Sequence, residues 1–138
     1  MKKRNQILMI LLFIIPLIFL GCKEEQKELT EQDVQEIEII FSDVLNDISR
    51  IVPVYYVMPP TINKYSVTYE IKMPDYLDFS YLYTISTIIQ FKYNYNITKF
   101  WTKINNDSYL MEFTYDRFLC KIVYNNNDKI ICIEFTLK

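Results

Sequence analysis

Ser108-Tyr109-Leu110-Met111-Glu112-Phe113-Thr114-Tyr115, then Asp116-Arg117, then Phe118-Leu119-Cys120-Lys121-Ile122-Val123-Tyr124 is the stretch that decides the fold. Each run alternates bulky apolar residues with polar or smaller ones, the period of a strand with one buried face. The phase flips at Asp116-Arg117, as a tight turn there requires, so Phe113 is expected opposite Cys120 and Met111 opposite Ile122. Asp and Asn tolerate the positive φ such turns need.

The same reasoning extends the hairpin in both directions. A turn at Asn105-Asn106-Asp107 places Phe100 opposite Phe113, Thr102 opposite Met111 and Ile104 opposite Tyr109. A turn at Asn125-Asn126-Asn127-Asp128 places Cys120 opposite Ile133, Ile122 opposite Ile131 and Phe118 opposite Phe135. All three registers gather one apolar face. The other face collects Lys99, Trp101, Lys103, Glu112, Thr114, Lys121 and Glu134, with Leu110, Leu119 and Val123 among the charges. An earlier alternation, Tyr65, Val67, Tyr69, Ile71 and Met73, marks one more half-buried strand. Between them, residues 75–95 fit two patterns. Leu77, Tyr81, Ile85 and Ile88 share a helical face behind an Asp75 cap with Asp78 three residues on, while Phe79, Tyr81, Tyr83, Ile85, Ile89, Phe91 and Tyr93 alternate. A strand that long would be unusual, so the helix is the preferred reading.

Upstream of the strands, Leu29-Thr30-Glu31-Gln32-Asp33-Val34 reads as a helix start. Thr30 is the cap, Asp33 its reciprocal partner, and Leu29 is placed to staple onto Val34. Val34, Ile37, Phe41, Val44, Ile48 and Ile51 then recur at spacings of three and four, and Pro53 ends the run. A heptad seam could pair two copies of this helix. Ile40 and Leu45 widen the stripe beyond a seam, to the face of a helix lying on a core. Pro53 to Pro60 is an apolar connector suited to a short edge strand. The expected fold is therefore α+β, an N-terminal helix and a second helix packed on a curved antiparallel β-meander. In architecture alone it resembles cystatin-like or NTF2-like modules, and no motif residue adds to that likeness.

The first residues carry an address. Met1-Lys2-Lys3-Arg4 is basic, and Ile7 to Leu20 is an uncharged run of fourteen residues containing Pro16. A membrane span needs roughly 20 apolar residues, and a run of this length suits the core of a signal peptide. Phe19-Leu20-Gly21-Cys22 follows, and there the chain resembles the bacterial lipoprotein family. Gly21 and Cys22 match the informative positions of its lipobox, while Phe19 and Leu20 depart from the strict pattern. The resemblance covers residues 1–22. It implies cleavage after Gly21, acyl chains of the palmitate class on Cys22, and a chain anchored by lipid in the cell envelope of a bacterium, on the periplasmic face or the cell surface. The expected organisation is a signal peptide over 1–21, a lipidated Cys and charged tether over 22–29, and a single domain over 30–138. The tether holds that domain within about 25 Å of the bilayer.

Without residues 1–21, twelve basic residues face seventeen acidic ones, a charge of −5. Residues 23–50 hold three basic and nine acidic residues, whereas 51–138 are nearly balanced. The acidic block beside the anchor is repelled by anionic lipid. This balance excludes an ordinary nucleic-acid binder.

The chain has no His and one Gly. The first excludes imidazole catalysis and imidazole metal ligation, and the second excludes the P-loop and the dinucleotide fingerprint. No cofactor, metal site or catalytic residue is expected, and helix capping explains Asp75 and Asp78 more simply than a catalytic pair does. Asn96-Ile97-Thr98 and Asn106-Asp107-Ser108 match the glycosylation sequon by chance. Trp101 between Lys99 and Lys103 is either covered by another layer or a contact for an envelope protein partner. The expectation for function is a non-enzymatic binding or assembly module. The alternatives are a lipoprotein that self-associates through the helix over 30–52 and a hydrolase without a recognisable motif. Cys120 inside and Cys132 outside are expected as free thiols, because side chains on opposite faces of a hairpin cannot bridge.

Overall fold

The computed structural model describes residues 25–92 and 96–138. The expected signal peptide, the Gly21 cleavage position and Cys22 lie outside the described residues, as do Tyr93 to Tyr95.

Helix α1, Glu31–Ile51, starts as the sequence requires. The Asp33 N–H donates to Thr30 Oγ1 at 3.2 Å, and the Thr30 N–H donates to Asp33 Oδ2 at 2.7 Å. Two orphan donors of the first turn are thereby satisfied. Leu29 and Val34 both pack against the core. At the other end Val52 is extended, the conformation that a following proline imposes, and its N–H still closes on Ile48 O at 2.9 Å. Ile37, Ile40, Phe41, Val44 and Ile48 are buried in the same chain. The wide stripe is thus spent on the domain's own core, and Phe41 lies stacked on Tyr69 of the sheet.

Strands β1 (Tyr56–Val57) and β2 (Thr61–Ile62) both pair with β3 (Ser66–Lys72). They are two pieces of one edge strand, parted by Pro59-Pro60, which have no N–H to offer a ladder. Along β3 and just beyond it, Val67, Tyr69, Ile71 and Met73 are buried as expected. Tyr65 falls before the strand and is half-buried.

Helix α2, Phe79–Lys92, settles the ambiguous segment, with a correction to its start. Asp78 is the capping residue, its Oδ1 accepting the Ser80 N–H at 2.8 Å. Asp75 stands exposed, outside the helix. Pro74 directs a turn first, with the Leu77 N–H donating to Pro74 O at 3.0 Å, so the helix begins later than an Asp75 cap would place it. Its buried face is Leu82, Ile85, Ser86 and Ile89, while Tyr81 and Ile88 are half-buried flanks.

From α2 the chain reaches the far edge of the sheet and returns through β4 (Asn96–Lys103), β5 (Ser108–Tyr115), β6 (Phe118–Asn125) and β7 (Ile130–Leu137). The strand order is β1-β3-β7-β6-β5-β4, antiparallel throughout, with β2 also on β3. Among the described residues this is the α+β architecture, two helices and an antiparallel sheet around one hydrophobic core.

The central hairpin has the expected register, with Phe113 opposite Cys120, Met111 opposite Ile122, and Asp116 at φ 49° in the turn. The other two registers need correction. Cys120 faces Phe135, Ile122 faces Ile133 and Phe118 faces Leu137, a slip of two residues from expectation. Asn125 and Ile130 close the ladder, and the loop between them bends through Lys129 at φ 54°. Asn125 Oδ1 accepts the N–H groups of Asn127 and Asp128, fixing the wider turn. A slip of two keeps every side chain on its face, so the core is unchanged.

In the β4–β5 pair the change is larger. Phe113 faces Ile97 rather than Phe100, Leu110 faces Thr102, and Tyr109 faces Lys103, with irregularities on both sides of Lys99. These break the simple alternation. Trp101 turns towards the core, and Phe100 and Ile104 are left 45% and 50% exposed.

Candidate functional site

Three surfaces carry more chemistry than packing needs. The first is the side formed by α2 and β4. The Trp101 Nε1–H donates to Leu82 O of α2 at 2.8 Å, so the indole that the sequence places outward is half-buried under the helix. The expected outward placement of Trp101 is corrected: the irregularities around Lys99 rotate the strand, and the helix carbonyl holds the ring. Phe100 takes the outer position, its ring 5.9 Å from that of Tyr83. Lys99 and Lys103 are exposed beside it. Among the described side chains, those of α2 that face solvent are Ser80, Tyr83, Thr84, Thr87, Gln90 and Phe91, none of them charged, with the exposed Asp78 at the cap, and Phe91 is 77% exposed. Exposed helix faces are ordinarily rich in charge. Among the described residues β4 pairs only with β5, so its outer edge is open.

The second surface is the sheet face turned away from the core. Register aligns Lys99, Glu112, Lys121 and Glu134 in one row of alternating sign. The neighbouring row is Leu110, Val123 and Cys132. Opposite charges directly across strands support each other, which gives this row a structural role.

The third lies where α1 begins. Arg117, in the β5–β6 turn, forms an ion pair with Asp33 at 2.9 Å and another with Glu36. The Thr30 backbone N–H and hydroxyl, with help from Arg117, hold the Asp33 carboxyl below its ordinary range despite burial. Beside this cluster, Glu25, Gln26 and Lys27 share a cleft of about 590 Å³ with Thr114, Leu119, Leu137 and Lys138. Its side chains bring one carboxylate, one amide, two ammonium groups and a hydroxyl over the apolar walls of Leu119 and Leu137.

A fourth polar cluster is structural. Lys129 Nζ donates to Leu77 O and to Asn126 Oδ1, each at 2.9 Å, and Tyr124 OH donates to Leu77 O at 3.1 Å. These bonds tie the β6–β7 loop to the approach of α2. The Asp78 carboxyl is held low, mainly by the Ser80 hydroxyl, in keeping with a cap. Burial pushes the Cys120 thiol far up and the Cys132 thiol up, the latter helped by Glu70 and Glu134. Thiols so shifted are poor nucleophiles.

Among the described residues no group of three His, Cys, Asp or Glu is arranged to hold a metal ion, and no helix is long and apolar enough to cross a membrane. Sequence reasoning missed the Arg117–Asp33 pair, for which the spacing of 84 positions gives no local signal. It found Lys99, Trp101 and Lys103 as neighbours but missed Tyr83 and Phe91, whose solvent exposure only the phase of α2 reveals. Comparisons with protein-family models, with curated proteins and with solved structures find no match.

Proposed function

We propose that this chain is an exported lipoprotein of the bacterial cell envelope, cleaved after Gly21 and held to the membrane by acyl chains on Cys22. Its α+β domain then serves as a non-enzymatic binding or assembly module. The observation that carries the reading is the order of basic residues, short apolar run and Gly21-Cys22 at the start of the sequence. The described tether joins the domain at Leu29, whose N–H donates to Lys64 O at 2.9 Å, and at Glu28, which pairs with Lys64 at 2.5 Å. A non-enzymatic role is supported by the two thiols, which burial keeps in the poorly nucleophilic protonated form. Self-association through α1 draws no support from its apolar stripe, which is engaged with Tyr69 and the sheet.

Labelling cells with a fatty-acid analogue tests the anchor. Wild-type chain should incorporate label and the Cys22→Ala variant should not; equal labelling of both would end the lipoprotein reading. A pull-down from native membranes with the Lys99→Glu, Lys103→Glu variant as control tests whether an envelope protein binds beside β4.

A further inference from the structure

We infer that two copies of the chain pack sheet face to sheet face, about a two-fold axis running along the strands between β5 and β6. The pairing does not depend on the lipid anchor.

The open face is its own complement. Its charged row runs Lys99, Glu112, Lys121, Glu134 across β4, β5, β6 and β7, positive and negative in turn. A row that alternates over an even number of strands reverses sign about its centre. Turned over about the axis between β5 and β6, Lys99 meets Glu134 of the second copy, and Glu112 meets its Lys121. The neighbouring row, Thr102, Leu110, Val123 and Cys132, is carried the same way. Leu110 then meets Val123 of the second copy, and Thr102 meets its Cys132. Glu70, beside Cys132 on β3, passes beyond the β4 edge of the second copy into solvent. An apolar centre beside a charged rim is the usual anatomy of an interface.

Other occupants fit less well. An axis along the charged row would set lysine on lysine and glutamate on glutamate, which suppresses docking. An apolar segment laid on the face would bury four charges without giving them partners. Among the described residues the four close no ion pair along the row, so their charged ends are available to a facing surface. Both helices pack on the opposite face and take no part. At about 4.8 Å between strands and about 6.8 Å between like-facing residues, the two rows offer on the order of 300 Å² per copy, the scale of a weak dimer. The axis preserves strand direction, so the tethers of both copies, held beside Thr114 and Leu119, leave from the same end. On the lipid reading both anchors then enter one membrane, where local density favours a weak dimer.

Full chains carrying ordinary and heavy nitrogen are mixed in mild detergent over a concentration series. A carbodiimide then joins carboxylates to ammonium groups in contact. Peptides linking light to heavy chain should include Lys99–Glu134 and Glu112–Lys121, with yields that rise with concentration. Within one chain Lys99 and Glu134 are three strand spacings apart, about 14 Å, so their link marks the second copy. Glu112→Lys and Lys121→Glu should each lower the yield of linked dimer at least about tenfold, because the two-fold repeats every like-charge contact. A mixture of the two variants should restore it, since each supplies the charge the other lacks. Far-UV circular dichroism checks that both are folded; if either is not, the link map of the wild-type chain decides. Absence of light–heavy links at every concentration, or links at other residues only, overturns the pairing. So do folded variants that dimerise like wild type and a mixture that does not recover. A different protein linked to Glu112 or Lys121 in native membranes, in place of a second copy, overturns it as well.

Discussion

The guanidinium of Arg117 reaches Asp33 Oδ1 at 2.9 Å, joining the turn between two strands to the first turn of α1. Asp33 thereby has two tasks, since its other oxygen accepts the Thr30 N–H and hydroxyl. A buried carboxylate at a helix start is favoured by the helix dipole and by the cation, and penalised only by its burial.

Because the folded-state pKa of Asp33 is depressed, its contribution to stability is present above the unfolded value, about 4. It is lost as pH falls below that value and through the folded pKa. Denaturant unfolding measured across this acid range should show stability declining in wild type, with a shallower decline in Asp33→Asn. Parallel declines would mean that the carboxylate is not linked to folding. At neutral pH, Thr30→Ala should cost about 1 kcal/mol, the usual worth of a cap.

Phe41 is buried with its ring 3.6 Å from that of Tyr69, which in turn meets Phe135 edge-on. Truncation leaves a cavity between helix and sheet that neither layer fills without moving. Phe41→Ala is expected to cost about 3–5 kcal/mol, read from the denaturation midpoint at unchanged slope. The loss should not depend on protein concentration. A strong concentration dependence would point to a helix shared between copies.

Cys120 and Cys132 are free and sit on opposite faces of the sheet, the first buried and the second half-buried. A maleimide should react slowly with Cys132 in the native protein, since burial and two glutamates disfavour its thiolate. Cys120 should react only after denaturation. Mass spectrometry that finds no free thiol in denaturant, without an intermolecular dimer, would refute this placement.

The parts of the fold that were legible share one trait: their signals are local. The Thr30–Asp33 box, the Pro53 stop and the Asp116-Arg117 turn are each written within a few residues. The β6–β7 register slipped by two because Lys129 takes a left-handed φ, a conformation its residue type does not advertise. At β4 the cause lies further off. Trp101 faces inward where the ladder around Lys99 is irregular, and a carbonyl nineteen residues earlier receives its N–H. The candidate surface was accordingly only half legible, its lysines from spacing and its aromatic rings from packing.

The paired prolines that divide β1 from β2 have an effect beyond the hairpin they interrupt. An antiparallel sheet with two bare edges is a template onto which identical sheets add, and chains confined to a plane meet far more often than chains in solution. Pro59 and Pro60 remove donors from one edge, and the uneven ladder of β4 with its two lysines spoils the other. In the proposed lipid-anchored state, a strand-rich chain held at high local density would thereby be kept from growing into a ribbon.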